Sequence, residues 1–331
     1  MSKWNKWISV LLLAALLLSG CGGSSGEQTG DQPFRVAIVT PSAINDLAFS
    51  QSINDAMLKV QQQMGGPDKL TFVISDNMFV VDDAGAAIRD YASQGYDLVI
   101  AHGSQYGGVL QEIAPDFPNV SFAWGTTVDT FGLPNIFAYE ARSEQGGYVN
   151  GVIAGALTKS NIVGVVGPIE TGDAKLYVDG FVLGVRAQNP NAQVNVNWIG
   201  SFSDVALASE AAQTHINAGA DVMAGTAQMV VGAIGVAKDN GVLWIGTQAS
   251  QTSLAPDIVV ANQIYDWSGI IMEIIELVQA GTLGGRSFEI TLANQGLYLE
   301  YNEAFNLPAE VRQLADAATN GIISGSIDSM P

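Results

Sequence analysis

Short apolar runs and amphipathic stretches alternate along the chain from Phe34 onward. The apolar runs are rich in Val, Ile and Phe and end in Gly, Ser, Asn or Thr, which is typical of buried strands. We predict strands at 35–40, 70–75, 97–103, 120–124, 136–139, 162–167, 193–200, 221–225, 242–246 and 258–263. We predict helices between them at 47–63, 82–93, 106–113, 144–157, 174–188, 204–218, 229–240 and 265–280. Strands that alternate with helices form parallel sheets covered on both faces, so two such series predict two similar α/β lobes.

The residues that follow the predicted strands are mostly small and polar. They stand at 40–42, 75–77, 103–105, 125–127, 167–168, 225–226 and 246–248. In open α/β sheets, ligands bind outside the carboxyl ends of the strands. These strand ends lack the acid and base pairs that hydrolytic chemistry needs. The pattern therefore favours hydrogen bonding to a small polar ligand.

Composition narrows the function further. The chain has 331 residues, 32 acidic and 13 basic, with a formal net charge of −19, which argues against nucleic acid as a partner. One cysteine excludes an intramolecular disulfide, and two histidines leave little material for a metal site. The sequence has no nucleophile elbow, phosphate loop or metalloprotease helix. We therefore predict a protein that is not an enzyme, with no catalytic residues, metal or cofactor.

The N-terminus has the pattern of an export signal. Lys3 and Lys6 precede an apolar run at 8–18, which is shorter than a membrane-spanning helix. The run ends in Leu-Ser-Gly-Cys, which resembles a bacterial lipobox with Cys21 as the acylated residue. We predict a signal peptide at 1–20, a flexible tether at 21–33 and a lipid anchor on the extracytoplasmic side of the cell membrane. The alternative is a plain signal peptide followed by an unrelated cysteine.

Six segments of the chain carry a family resemblance. They are residues 44–52 (INDLAFSQS), 139–151 with Tyr-Glu and Gly-Gly-Tyr, 177–184 (YVDGFVLG), 200–204 (GSFSD), 219–222 (GADV) and 244–246 (WIG). In this order they resemble the basic membrane lipoprotein family of ABC-transporter substrate-binding proteins. Studied members of this family include purine nucleoside receptors. The resemblance implies a two-lobed periplasmic-binding-protein type I fold, in which each lobe is a parallel sheet flanked by helices and the ligand cleft lies between them. It also implies a permease and an ATPase as partners.

The family's organisation implies how the chain divides. The N-terminal lobe is expected at 34–139 plus 262–296, and the C-terminal lobe at 140–261 plus 297–331. Domain closure around a small ligand is the known motion of such folds. We expect the protein to work as a monomer.

The resemblance also implies ligand-binding residues. Asn45 and Asp46 match a pair that contacts the ligand, although either residue is also a natural N-cap for the following helix. Phe49 and Tyr177 match the two halves of an aromatic sandwich, and stacking on each side of a base contributes about 1–3 kcal/mol. The alternative for Phe49 is ordinary core packing.

Other candidates come from the strand ends. Ser104 and Gln105 are predicted polar groups of the cleft, while the neighbouring His102 is predicted to be structural. Trp124 either lines the cleft or caps the core. The small residues Gly225 and Thr226 follow a predicted strand and allow close approach of a ligand to the backbone, so we also predict them to be ligand-binding residues.

The sequence departs from the nucleoside-binding members at two positions. Those members have an Asp for the ribose hydroxyls after the strand at 242–246 and a Lys after the next strand; here 246–251 has no acid and 260–267 has no Lys. We therefore predict that the ligand is a small polar heterocycle, nucleobase- or nucleoside-like, and that a flat heterocycle or another neutral polar molecule replaces an ordinary nucleoside. The alternatives are a nucleoside with Gln248 and Asn262 in place of the two charges, a vitamin-like heterocycle, a sugar, or a sensory protein that presents its ligand to a membrane receptor.

Overall fold

Two six-stranded sheets form the frame of the protein. The computed structural model describes residues 32–330, so the predicted signal peptide, Cys21 and most of the predicted tether lie outside the described residues. The strands are β1 (Phe34–Val39), β2 (Leu70–Ser75), β3 (Leu98–His102), β4 (Ser121–Gly125), β5 (Ile136–Ala141), β6 (Ile162–Gly167), β7 (Gln193–Trp198), β8 (Val222–Gly225), β9 (Leu243–Gln248), β10 (Val259–Tyr265), β11 (Ser287–Ile290) and β12 (Leu297–Tyr301).

The helices cover the faces of these sheets. They are α1 (Phe49–Gln63), α2 (Val81–Ser93), α3 (Gly107–Ile113), α4 (Ser143–Leu157), α5 (Gly172–Gln188), α6 (Val205–Asn217), α7 (Val230–Asn240), α8 (Ser268–Gln279) and α9 (Ala309–Ile323). In the part of the chain that the structure describes, no helix has both the length and the apolar character needed to cross a bilayer.

The strand order defines two lobes. The first sheet runs β11-β5-β4-β3-β1-β2 and the second runs β12-β10-β9-β8-β6-β7. The pairings are parallel except that between β10 and β12, which is antiparallel. Strands β3 and β8 are buried along their whole length, as strands covered on both faces must be. The predicted fold of two α/β lobes is therefore confirmed.

Within residues 32–330 the chain crosses between the sheets three times. It passes from β5 to α4 at Arg142, from β10 to α8 at Asp266 and Trp267, and from β11 to β12 between Ile290 and Leu297. β10 stays paired in the second sheet through Tyr265, so the boundary predicted at residue 262 falls inside this strand. Strand β11 was not among the predicted strands, because four residues with alternating burial give little pattern.

Helices α4 and α5 make an unusually close contact in the second lobe. A Cβ built on Gly151 would lie 2.1 Å from the carbonyl oxygen of Phe181, and one built on Gly184 would lie 2.0 Å from that of Tyr148. Only glycine allows two helix backbones to approach so closely. The glycines of the segment YVDGFVLG thus have a packing role in the second lobe.

Candidate functional site

A cavity lies where the carboxyl ends of the two sheets face each other. The segments at or after the carboxyl ends of β1 to β4 form its first-lobe side, and those at or after the ends of β6 to β9 form its second-lobe side. The lining residues are Pro41, Phe49, Phe79, Gly103, Ser104, Gln105 and Thr126 from the first lobe, and Asp173, Ala174, Phe202, Ala227, Gln228 and Gln248 from the second. This is the position at which open α/β sheets bind their ligands.

Phe49 is the first residue of α1, and its ring packs against a buried aromatic cluster. Its ring stacks on His102 with the ring centroids 3.9 Å apart and the planes at 11°. Trp267, in the crossing after β10, packs edge-on against Phe49 and His102, and its Nε1 donates to Ser52 Oγ at 2.8 Å. Packing on several sides fixes the Phe49 ring, which is 7% exposed and faces the cavity.

His102 in this cluster is a neutral structural group. Burial lowers its pKa to about 3. Its Nε2 lies 3.3 Å from the carbonyl oxygen of Phe49, which can only accept, so Nε2 carries the proton. Its Nδ1 therefore accepts from the hydroxyl of Tyr139 at 2.7 Å. The side chain is satisfied, and the described residues contain no group of side chains suited to a metal ion.

Two further phenylalanines line the cavity, and neither was among the predicted site residues. Phe79 follows β2 in the first lobe and Phe202 follows β7 in the second. Phe202 is half-buried, and its carbonyl oxygen accepts from the N–H of Met229 at 3.1 Å. The strand-end rule that selected Ser104 and Gln105 would also have selected Phe202, which stands in the segment GSFSD.

Tyr177 lies elsewhere. It is fully buried, packs at 6.1 Å against Phe181, and its hydroxyl accepts from Asn150 Nδ2 at 3.1 Å. It is not among the described residues that line the cavity. The structure therefore does not bring Phe49 and Tyr177 together as two walls, and Phe202 supplies the aromatic side chain from the second lobe. The role of Tyr177 in an aromatic sandwich stays a prediction, and this arrangement of the two side chains does not support it.

Asp173 is the main site residue that the sequence analysis missed. It stands in the first turn of α5, is 8% exposed and lines the cavity. Tyr265 donates to Oδ2 at 3.2 Å, Thr126 to Oδ1 at 3.3 Å, and Gln248 Nε2 to Oδ2 at 3.5 Å. Burial raises the pKa of this carboxyl, and the three hydrogen bonds only partly oppose that effect. The bond from Thr126 also links the two lobes across the cavity.

Gln248 is placed at the cavity by an unusual backbone. The backbone φ angle is +75° at Gln248 and +74° at Ala227. Both lie in the left-handed region, which residues other than glycine seldom adopt. The two residues are joined, because the N–H of Ala227 donates to Gln248 Oε1 at 3.2 Å. Backbone strain of this kind tends to occur at binding sites. Gln248 was predicted, and it does lie at the cavity.

Asp46 and Asn45 precede α1 and are not among the described lining residues. The Asp46 carboxylate accepts from the N–H groups of Ala48, Ser50 and Gln51 at 2.8 to 3.1 Å. It thus satisfies donors at the start of α1, as a helix-capping carboxylate does. Asn45 is exposed in the preceding turn. The capping alternative therefore describes what Asp46 does in this structure.

The remaining predicted residues also lie off the cavity lining. Trp124 stacks on Phe131 with centroids 4.9 Å apart, and its Nε1 donates to the carbonyl of Gly103 at 3.1 Å. Asn262 is fully buried; its Nδ2 donates to Thr252 Oγ1 and to Glu300 Oε2 at 3.0 and 2.9 Å. The neighbours Gly225 and Thr226 are both buried at the end of β8.

The cavity has a volume of about 30 Å³. A water molecule needs about 10–15 Å³ on this measure, so the space holds only a few atoms. Movement of the two lobes about the three crossings would widen this space for a larger ligand. Such hinge movement is a known mode of change in two-lobed binding proteins.

Comparisons with known proteins agree with this architecture. Residues 34–328 match the Bmp family, described as ABC transporter substrate-binding protein PnrA-like. A purine-binding protein from Brucella abortus is 25% identical over 303 residues, covering 92% of this chain and 85% of the relative. A solute-binding protein of an ABC transporter system from Conexibacter woesei has a TM-score of 0.73 at 25% identity, covering 90% of this chain and 98% of that chain. One from Aeropyrum pernix has a TM-score of 0.77 at 18% identity, covering 89% and 93%, and supports the fold. Because the family match spans nearly all of the described residues, the chain belongs to the Bmp family of PnrA-like ABC transporter substrate-binding proteins.

Proposed function

We propose that this protein is the lipid-anchored, extracytoplasmic binding component of an ABC importer, and that it binds a small polar heterocycle of nucleobase or nucleoside type. Family membership makes it a substrate-binding protein that works with a permease and an ATPase. The observation that carries the ligand class is the lining of the cavity. Phenylalanines 49, 79 and 202 stand there among small polar side chains from both lobes.

Aromatic and polar groups have separate tasks in this proposal. A flat ring stacks on phenylalanine faces, and each such contact contributes about 1–3 kcal/mol. Ser104, Gln105 and Gln248 supply donors and acceptors that read the edge of the ring. The purine-binding name of the Brucella abortus relative is in keeping with such a ligand.

The cavity favours binding over catalysis. Asp173 is the only ionisable side chain among its described lining residues. Ser104 lines the cavity, but the nearest histidine in sequence, His102, is bonded to Tyr139 and Phe49 and has a pKa near 3. An activated nucleophile needs an adjacent base, and none of the lining residues offers that pair.

A nucleoside with a rewired ribose pocket is the second candidate. Gln248 stands in the segment where nucleoside-binding relatives are expected to have an Asp, and it lies at the cavity. Asn262, the proposed replacement for the Lys, is bonded to Thr252 and Glu300. One of the two replacements is therefore available, which favours a nucleobase over a nucleoside.

A thermal-shift screen tests the ligand class. Residues 33–331 form one compact unit and are the material for the screen. The panel contains nucleobases, purine nucleosides, thiamine-like and flavin-like heterocycles, glucose and amino acids. A ligand at about 100 times its Kd stabilises the folded state by about 2.7 kcal/mol, which shifts Tm by several degrees. We expect nucleobases to give the largest shift. A shift with glucose or amino acids alone would refute the heterocycle proposal.

A further inference from the structure

The second-lobe side of the cavity has acidic rather than basic character. Asp173 is its single ionisable group, and no lysine or arginine is among the described residues that line it. The chain as a whole carries a formal net charge of −19. An excess of negative charge produces a negative electrostatic potential, which attracts cations and repels anions at the mouth of a cleft. The bias therefore bears on which heterocycles the protein accepts.

The partners of Asp173 are neutral and distant. The hydroxyls of Tyr265 and Thr126 donate at 3.2 and 3.3 Å, and the amide of Gln248 at 3.5 Å. Donors that fully satisfy a carboxylate approach to about 2.5–2.9 Å. Besides these long side-chain bonds the carboxylate accepts from its own backbone N–H, and a stronger donor could replace the long bonds. Since no such donor comes from the cavity lining, a ligand is the natural source.

A second acceptor on the same side has no partner. Gln228 lines the cavity after β8, and its Oε1 is buried with no hydrogen-bond partner among the described residues. Buried acceptors are nearly always paired in folded proteins, so an unpaired one that faces a cavity points to a missing donor. Asp173 and Gln228 thus call for the same kind of group.

We propose that Asp173, supported by Gln228, selects a planar nitrogen heterocycle that presents exocyclic amino groups, or a positive charge, to the second lobe. This inference rests on the proposed heterocycle-binding function and narrows its ligand. Anionic heterocycles are rejected by repulsion from the carboxylate. Heterocycles that offer only carbonyl oxygens to this side are disfavoured, because they leave both acceptors unpaired.

Four probes separate these cases. Diaminopurine carries two exocyclic amino groups, and hypoxanthine has a similar ring system without them. Thiamine is a cationic heterocycle and orotate an anionic one. Dissociation constants are measured by calorimetry on residues 33–331 for the wild type, Asp173→Asn, Gln228→Leu and Asp179→Asn. The last variant is the matched control. Asp179 lies on the same helix, accepts a hydrogen bond from Lys175 Nζ at 2.7 Å, and is not among the described residues that line the cavity.

We expect the wild type to bind diaminopurine or thiamine at least tenfold more tightly than hypoxanthine, and to bind orotate most weakly. Asp173→Asn should weaken the favoured probe at least tenfold and leave hypoxanthine within threefold, and Asp179→Asn should change neither. Gln228→Leu should weaken the favoured probe by a smaller factor.

Three results would overturn the inference. If Asp173→Asn keeps the preference of the wild type, another group selects the ligand while heterocycle binding stands. If orotate or hypoxanthine binds most tightly, the cavity does not favour donors, and Asp173 acts as a protonated donor or not at all. If no probe binds the wild type, the proposed function fails, and the inference fails with it. A circular-dichroism spectrum of each variant confirms that it is folded.

Discussion

Replacing Gly184 by alanine should push apart two helices that touch through their backbones. The new Cβ would lie 2.0 Å from the carbonyl oxygen of Tyr148, whereas ordinary contact begins at 3.4 Å. A flexible side chain could turn away, but a backbone carbonyl of α4 moves only with its helix. The substitution therefore tests whether the glycines of α5 are there for packing.

The magnitude follows from two opposing terms. Overpacking a well-packed site costs about 1–3 kcal/mol, and sometimes more. Alanine in place of glycine inside a helix returns up to about 1 kcal/mol. We expect Gly184→Ala to lower the free energy of unfolding by about 2 kcal/mol. Since the clash is with backbone, the upper part of the range applies.

Gly235 provides the matched control. It lies in α7 of the same lobe, is exposed, and a Cβ built on it would meet nothing within 4 Å. Gly235→Ala should raise the free energy of unfolding by about 0.5–1 kcal/mol. Urea unfolding of residues 33–331, followed by circular dichroism, measures both variants. If Gly184→Ala is as stable as Gly235→Ala, the reasoning about the α4–α5 contact is refuted.

Two further predictions concern the aromatic residues. Phe202→Ala should weaken binding of the heterocycle by about 1–3 kcal/mol, which corresponds to a roughly 5-fold to 150-fold higher Kd. Tyr177→Phe should leave the Kd unchanged, and calorimetry measures both constants. The reverse result would indicate that Tyr177, rather than Phe202, contacts the ligand. Burial lowers the pKa of His102 from 6.5 to about 3. Between these two pH values only the unfolded chain takes up a proton at this residue. The free energy of unfolding should therefore decrease as the pH falls from 6.5 towards 3. NMR of the His102 ring should show the neutral Nε2–H form down to about pH 4, and a midpoint near 6.5 would contradict the buried, neutral assignment.

Several elements of the fold could be read directly from the sequence. The apolar runs at 70–75 and 162–167 were predicted with the bounds that the structure shows for β2 and β6. A run with strand periodicity, closed by turn residues, encodes its own conformation. The start of α8 was predicted too early, because Tyr265 belongs to β10 through pairing with β12. Pairing with a distant strand leaves no local signal.

The sequence by itself determined the succession of strands and helices, and hence two lobes with polar strand ends that face a cleft. Ser104, Gln105 and Gln248 reach that cleft because they stand at or directly after such ends, whereas Phe49 reaches it from the start of the helix that follows β1. These features depend on local periodicity and on the general geometry of parallel sheets.

Only the tertiary structure decided which side chains meet there. Asp173 and Tyr177 are four residues apart on one face of α5, so one helical turn separates the residue at the cavity from the residue buried behind it. Close contacts at the glycines of α4 and α5 hold the two helix backbones together, and they join segments that are distant in the sequence. Phe202 enters the cavity from another strand end of the same lobe. The positions of separate segments relative to one another depend on tertiary packing. A local stretch of sequence therefore does not determine which side chains meet at the cavity.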